Sequence, residues 1–93
     1  MQLILYSKPG CHLCEGLQEK LAQMSTPEFE LEIRDITTRD DWFQAYQYEV
    51  PVLYSVQKIN EQIVEQQLPR PSPRASVQQL QRILQLHLFK DGR

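Results

Sequence analysis

The stretch Tyr6-Ser7-Lys8-Pro9-Gly10-Cys11-His12-Leu13-Cys14-Glu15 holds both cysteines of the chain, two residues apart, where an apolar run gives way to a helical pattern. Before it, Leu3-Ile4-Leu5-Tyr6 is continuously apolar, as a central strand covered on both faces requires. Pro9-Gly10 then breaks the strand. After it, Leu13, Leu17, Leu21 and Met24 recur at spacings of four, four and three, with Glu15, Gln18, Glu19 and Gln23 between them. That spacing predicts a helix with one buried stripe, ending near residues 25–27, because the residue before Pro27 is pushed out of the helical region.

A C-x-x-C pair at a helix start carries a mechanism. The first four amide N–H groups and the positive end of the helix dipole face the first sulfur. Cysteines so placed have pKa values lowered from about 8.5 into the range of roughly 3.5–7.5. Cys11 is therefore the expected thiolate, with Lys8 and His12 adding positive charge. Cys14, one turn in, is expected to be more buried and less ionised. An exposed thiolate that attacks a disulfide, followed by a second thiol that resolves the mixed disulfide, is the chemistry of thiol–disulfide exchange. Glu15 and Glu19 work mildly against the thiolate, but suit the start of a helix on dipole grounds.

Composition narrows the classes. Ninety-three residues make one domain, 1–93, near the size at which burial only just offsets chain entropy. A net charge of −2 without a polybasic run argues against nucleic acid or a membrane surface as partner. The apolar run at residues 3–6 is too short for a signal sequence or a membrane span, so the cytoplasm is the expected compartment. In a reducing compartment two cysteines serve catalysis or metal binding rather than a structural staple.

Further along, Phe29, Leu31 and Ile33 alternate with Glu30, Glu32 and Arg34, a strand with one buried face, expected at a sheet edge. Thr38 with Asp41 resembles a capping box ahead of a short helix containing Trp42, Phe43, Ala45 and Tyr46, with Trp42 in the core. Pro51 opens the apolar run Val52-Leu53-Tyr54-Ser55-Val56, one of the few places a strand tolerates proline. On residue type alone its peptide bond is trans. A polar turn at residues 58–61 and a strand centred on Ile63-Val64 complete a hairpin. Leu68-Pro69-Arg70-Pro71-Ser72-Pro73-Arg74 reads as a stiff, solvated connector, although Arg70 and Arg74 could attract a carboxylate. Val77, Leu80, Ile83, Leu84 and Leu88 then mark a last amphipathic helix, started by Ser72 or Ser76. His87 is expected to pack beside that stripe, and residues 89–93 to fray.

Together these features resemble a known family. A strand, then Lys8-Pro9-Gly10-Cys11-x-x-Cys14, then an amphipathic helix looks like the active-site end of a glutaredoxin, a member of the thioredoxin superfamily. With His12-Leu13 in place of the usual Pro-Tyr, the segment more closely resembles a set of short bacterial glutaredoxin-like proteins. The resemblance implies an α/β thioredoxin-like fold, a four-stranded mixed sheet flanked by helices. It implies that Val50-Pro51 is a cis-proline pair facing the first cysteine, with Val50 offering backbone groups to an extended substrate. The implied activity is that of a dithiol–disulfide oxidoreductase acting on protein disulfides or glutathione mixed disulfides. Cys11 and Cys14 would be catalytic, and Lys8, His12, Val50, Pro51, Arg70 and Arg74 would bind substrate or glutathione. Glutathione would be a co-substrate, no cofactor would be tightly bound, and the chain would be a monomer. The departure lies at residues 68–74, where glutaredoxins carry a Gly-Gly pair that grips the glutamyl end of glutathione.

Two other classes use the same residues. A C-x-x-C is half of a zinc site, and with a second subunit or glutathione thiols it could hold zinc or an iron–sulfur cluster. A thioredoxin-fold scaffold with idle cysteines is the third, against which Lys8, both cysteines and Pro51 count together.

Overall fold

Residues 2–24, 29–72 and 74–88 are described by the structure, a computed structural model. The expectations for residues 25–27 and 89–93, and for the side chain of His87, lie outside the described part. Strand β1 (Gln2–Ser7) has its four apolar residues fully buried, and successive side chains feed two separate clusters. Leu3 and Leu5 point to one face, where they meet Leu17, Leu21, Leu53, Leu68, Leu80 and Leu84. Ile4 and Tyr6 point to the other, among Cys14, Ile36, Val50 and Val52. This is the period of two expected of a strand with helices on both sides.

Around β1 the sheet runs in the order β2-β1-β3-β4. Strand β2 (Glu30–Asp35) pairs parallel to β1, β3 (Val52–Ile59) pairs antiparallel to it, and β4 (Gln62–Gln67) pairs antiparallel to β3. A parallel neighbour needs a crossover, which α1 (His12–Ala22) provides. The antiparallel one closes through a turn in which Asn60 and Glu61 both have positive φ, 54° and 65°, as the tightest hairpin turns demand. Helices α1 and α3 (Val77–Leu88) supply the first cluster, while α2 (Asp40–Tyr46) lays Trp42, Phe43 and Tyr46 against the second. The result is the mixed α/β architecture of the thioredoxin-like fold.

Four local expectations are corrected. The buried stripe of α1 runs through Cys14, Leu17 and Leu21, whereas Leu13 is 48% exposed. Cys14 packs into the second cluster, and Leu13, one residue earlier on the helix, is thereby turned outward. Phe29, just before edge strand β2, and Leu31 within it pack against the core, but Ile33 is 39% exposed. There is no capping box at Thr38, whose hydroxyl donates to the Asp35 carbonyl at 2.7 Å inside a single 3-10 turn, Ile36–Thr38. Asp35 caps that turn, accepting from the Thr37 amide at 2.9 Å, and the bond from the Thr37 hydroxyl, with this amide bond second, holds its carboxyl below the usual range. Trp42 is half-buried rather than enclosed. At α3 the choice falls on Ser76. Its hydroxyl accepts from the Gln79 amide at 3.1 Å while the Gln79 side chain accepts from the Ser76 amide at 2.9 Å, a reciprocal cap.

One buried side chain in the sheet is polar. Ser55 in β3 is 1% exposed and its hydroxyl has no hydrogen-bond partner among the described residues. A buried unsatisfied hydroxyl costs about 1–3 kcal/mol. Ser55→Ala is therefore expected to raise stability by about 1 kcal/mol, read as a higher urea midpoint at unchanged slope. A lower midpoint would mean that the hydroxyl has a partner.

Candidate functional site

Gly10 makes the turn into the site possible. Its φ is +79°, and a Cβ there would meet nothing within 4 Å, so glycine is needed for its backbone freedom, not for space. The chain then passes through Cys11, whose backbone is extended and whose side chain caps α1. The Cys11 Sγ accepts from the Cys14 amide at 3.1 Å. Cys11 and Cys14 are joined as a disulfide, with their Cα atoms 5.3 Å apart. Their surroundings differ sharply. Cys11 is half-buried at the surface, whereas Cys14 is 2% exposed, behind it in the second cluster. An approaching sulfur meets Cys11 first.

Behind Cys14 stands an aromatic wall. The Tyr6 ring lies 4.4 Å from that of Tyr46 and 5.7 Å from that of Trp42. Arg34 donates to the Tyr6 hydroxyl at 2.9 Å and places its guanidinium 5.3 Å from the Trp42 ring centroid. Its Nε bonds Glu32 at 2.6 Å, and that bond holds its pKa above the ordinary value. The Tyr46 and Tyr54 hydroxyls are 3.2 Å apart. Burial, with that bond second, pushes the Tyr46 phenol well up, so it stays neutral in the physiological range. None of these aromatic residues carried a site signal in sequence.

The Val50-Pro51 bond is cis, as the resemblance implies. Pro51 precedes β3 and lines a cavity of about 210 Å³ with Leu13, Gly16, Leu17, Arg70 and Pro71. The family model for the Glutaredoxin-like domain (DUF836) matches residues 2–85. The chain belongs to this glutaredoxin-like family. Searches of curated proteins and of solved structures find no significant match.

The remaining residues of this glutaredoxin-like domain are arranged less as expected. Val50 does not present two unused backbone groups. Its N–H donates to the Tyr46 carbonyl at 3.1 Å, and its carbonyl accepts from Arg70 Nη2 at 3.1 Å, leaving one lone pair. Lys8 is tied by its ammonium to the Gln47 carbonyl at the end of α2, at 3.2 Å. His12 has a side chain 94% exposed, with Nδ1 3.8 Å from the Glu15 carboxylate. The two arginines of the connector are separated. Arg70 lines the cavity with Pro51, whereas Arg74 lines a second, open hollow of about 450 Å³ against Gln79, Arg82 and Ile83 of α3.

Gly16 and Leu13 escaped the sequence reading as site residues. A signal existed for Gly16, since an isolated glycine inside a helical pattern asks for a reason. Among the described residues no group of three or more His, Cys, Asp or Glu side chains could hold a metal. No helix among them is long and apolar enough to cross a membrane.

Proposed function

We propose that this glutaredoxin-like protein is a dithiol–disulfide oxidoreductase that reduces protein disulfides or glutathione mixed disulfides in the cytoplasm, maintaining thiol balance there. The observation that carries this is the Cys11 Sγ held on the Cys14 amide at the start of α1, with Cys14 buried directly behind it. In the dithiol form the same amide and the helix dipole favour a thiolate at Cys11. Cys14, joined to Cys11 in the structure, is within reach to resolve a mixed disulfide. Lys8 and His12 contribute charge and surface around the pair, and Val50-Pro51 forms the shelf on which a substrate chain lies.

A titration in glutathione redox buffers read by mass spectrometry tests this. The expected result is interconversion of dithiol and intramolecular disulfide, with a glutathione adduct on Cys11 as the intermediate. A pair that stays oxidised throughout, or never forms the disulfide, would remove the proposal.

Glutathione is expected to be a weaker substrate here than for proteins carrying the Gly-Gly corner. Glycines let backbone N–H groups approach a ligand closely, whereas Pro69 and Pro71 have none to donate. Arg70 can still attract a carboxylate, at the roughly 0–1 kcal/mol of an exposed ion pair. In steady-state reduction of a glutathione mixed disulfide, Arg70→Ala is expected to lower kcat/KM by up to about fivefold. Arg74→Ala, facing the other hollow, is expected to leave it unchanged. Equal effects of the two changes would count against this assignment.

A further inference from the structure

The cavity beside Pro51 is lined by His12 and Leu13, the two residues between the cysteines, but by neither cysteine. Its volume of about 210 Å³ is below the roughly 300–1,000 Å³ of pockets that enclose whole small-molecule ligands. It is sized for a side chain rather than for a complete tripeptide. Leu13, Leu17, Pro51 and Pro71 make it apolar.

Gly16 supplies an independent observation. It lies in the interior of α1, where glycine is the weakest helix former after proline. A Cβ at this position would meet nothing within 4 Å. Packing therefore does not exclude a larger residue, and the effect of the missing side chain is to keep the cavity open.

The edge of the cavity is basic. Arg70, Lys20 and His12 stand on it, and among the described residues no carboxylate lines it. Lys20 donates to the Ala75 carbonyl at 2.6 Å, and Arg70 directs one of its five N–H groups to Val50. An apolar hollow with a basic edge complements an apolar residue followed by an acidic one.

We propose that this cavity is a specificity pocket for protein substrates, receiving an apolar side chain next to the substrate's oxidised cysteine, while Arg70 meets an acidic residue beyond it. This rests on the oxidoreductase reading above. The Cys11 thiolate attacks the substrate cysteine's sulfur, forming a Cys11–substrate disulfide and expelling the other sulfur as a thiolate. The Cys14 thiol then attacks the Cys11 sulfur, closing the Cys11–Cys14 disulfide and releasing the substrate cysteine, which takes the Cys14 proton. Two electrons pass from the protein dithiol to the substrate disulfide. The seated side chain lies beside the attacked sulfur throughout.

The test is a single-turnover reaction of full-length protein, reduced beforehand with a phosphine that is then removed. Its substrates are thionitrobenzoate disulfides of capped Cys-Leu-Asp, Cys-Ala-Asp and Cys-Leu-Lys peptides, the same sets in reversed order, and capped cysteine alone. Thionitrobenzoate is the better leaving group, so its release reports attack at the peptide sulfur. In at least one chain direction Leu is expected to react about tenfold faster than Ala. Asp is expected to exceed Lys severalfold, a difference lost in high salt. Gly16→Leu, which fills the cavity, is expected to bring the Leu-to-Ala ratio to about one while keeping cooperative thermal unfolding. Taking the ratio within each protein cancels changes in sulfur reactivity. A ratio near one in the wild type, or one that survives Gly16→Leu, overturns the pocket, as does a glutathione mixed disulfide that outpaces every peptide. No reaction even with capped cysteine overturns the oxidoreductase reading itself.

Discussion

Cys11→Ser is expected to abolish disulfide reduction, whereas Cys14→Ser is expected to accumulate a stable mixed disulfide on Cys11. The two sulfurs differ in access and in environment. Cys11 stands half-buried at the surface and accepts a helix amide, while Cys14 is enclosed by Ile4, Tyr6, Ile36, Val50 and Val52. Burial in apolar surroundings disfavours a thiolate at Cys14, and the enclosure denies a partner sulfur the line of approach. Attack is therefore expected at Cys11. Without it no mixed disulfide forms and turnover falls to the background rate. Without Cys14 the first step proceeds, but the adduct has no internal thiol to release it. Mass spectrometry after incubation with oxidised glutathione checks both variants. One glutathione per chain on Cys14→Ser and none on Cys11→Ser is the expected pattern. Capture by Cys14 in the Cys11→Ser protein would reverse the roles.

Leu84→Ala is expected to destabilise the domain by about 3 kcal/mol, and Leu86→Ala by less than about 0.5 kcal/mol. Both lie on α3, so helix propensity is common to the two changes. Leu84 is fully buried in the cluster formed by β1, β3, α1 and α3, whereas Leu86 is 65% exposed. Truncating Leu84 removes transfer free energy and leaves a void that close-packed neighbours fill only in part. Folded domains are stable by only about 5–15 kcal/mol, so this is a large fraction for a chain of 93 residues. Urea unfolding of the two variants beside the wild type measures it. A small effect at Leu84 would mean that α3 contributes little to the core.

Much of the fold was legible because the relevant forces are local. A four-residue run such as Leu3 to Tyr6 that is apolar at every position and soon broken by Pro9-Gly10 reads as a strand covered on both faces, and the structure buries it on both. The pair at Cys11 and Cys14 is legible because capping and the dipole act within one turn. The hairpin and the order of elements followed from turn residues and periodicity.

Errors arose where two neighbouring residues had similar local claims. Leu13 and Cys14 are both apolar, and periodicity alone could not say which faces inward. The second cluster chose Cys14, leaving Leu13 at the mouth of the cavity. Thr38 had the composition of a cap, but Asp35 competed for the same turn and engaged its hydroxyl.

By itself, then, the sequence determined the strand–helix register around the cysteines, the alternation of elements and the chemistry available to Cys11. These depend on interactions between residues a few positions apart. Only the tertiary structure decided what surrounds that chemistry. It tied the Val50 carbonyl to Arg70 across 20 positions and Lys8 to Gln47 across 39. It also turned Arg74 away from Arg70 and left a cavity over Gly16. Such outcomes are set by how α1, β3 and the connector to α3 approach one another, which no pattern within any one of them encodes.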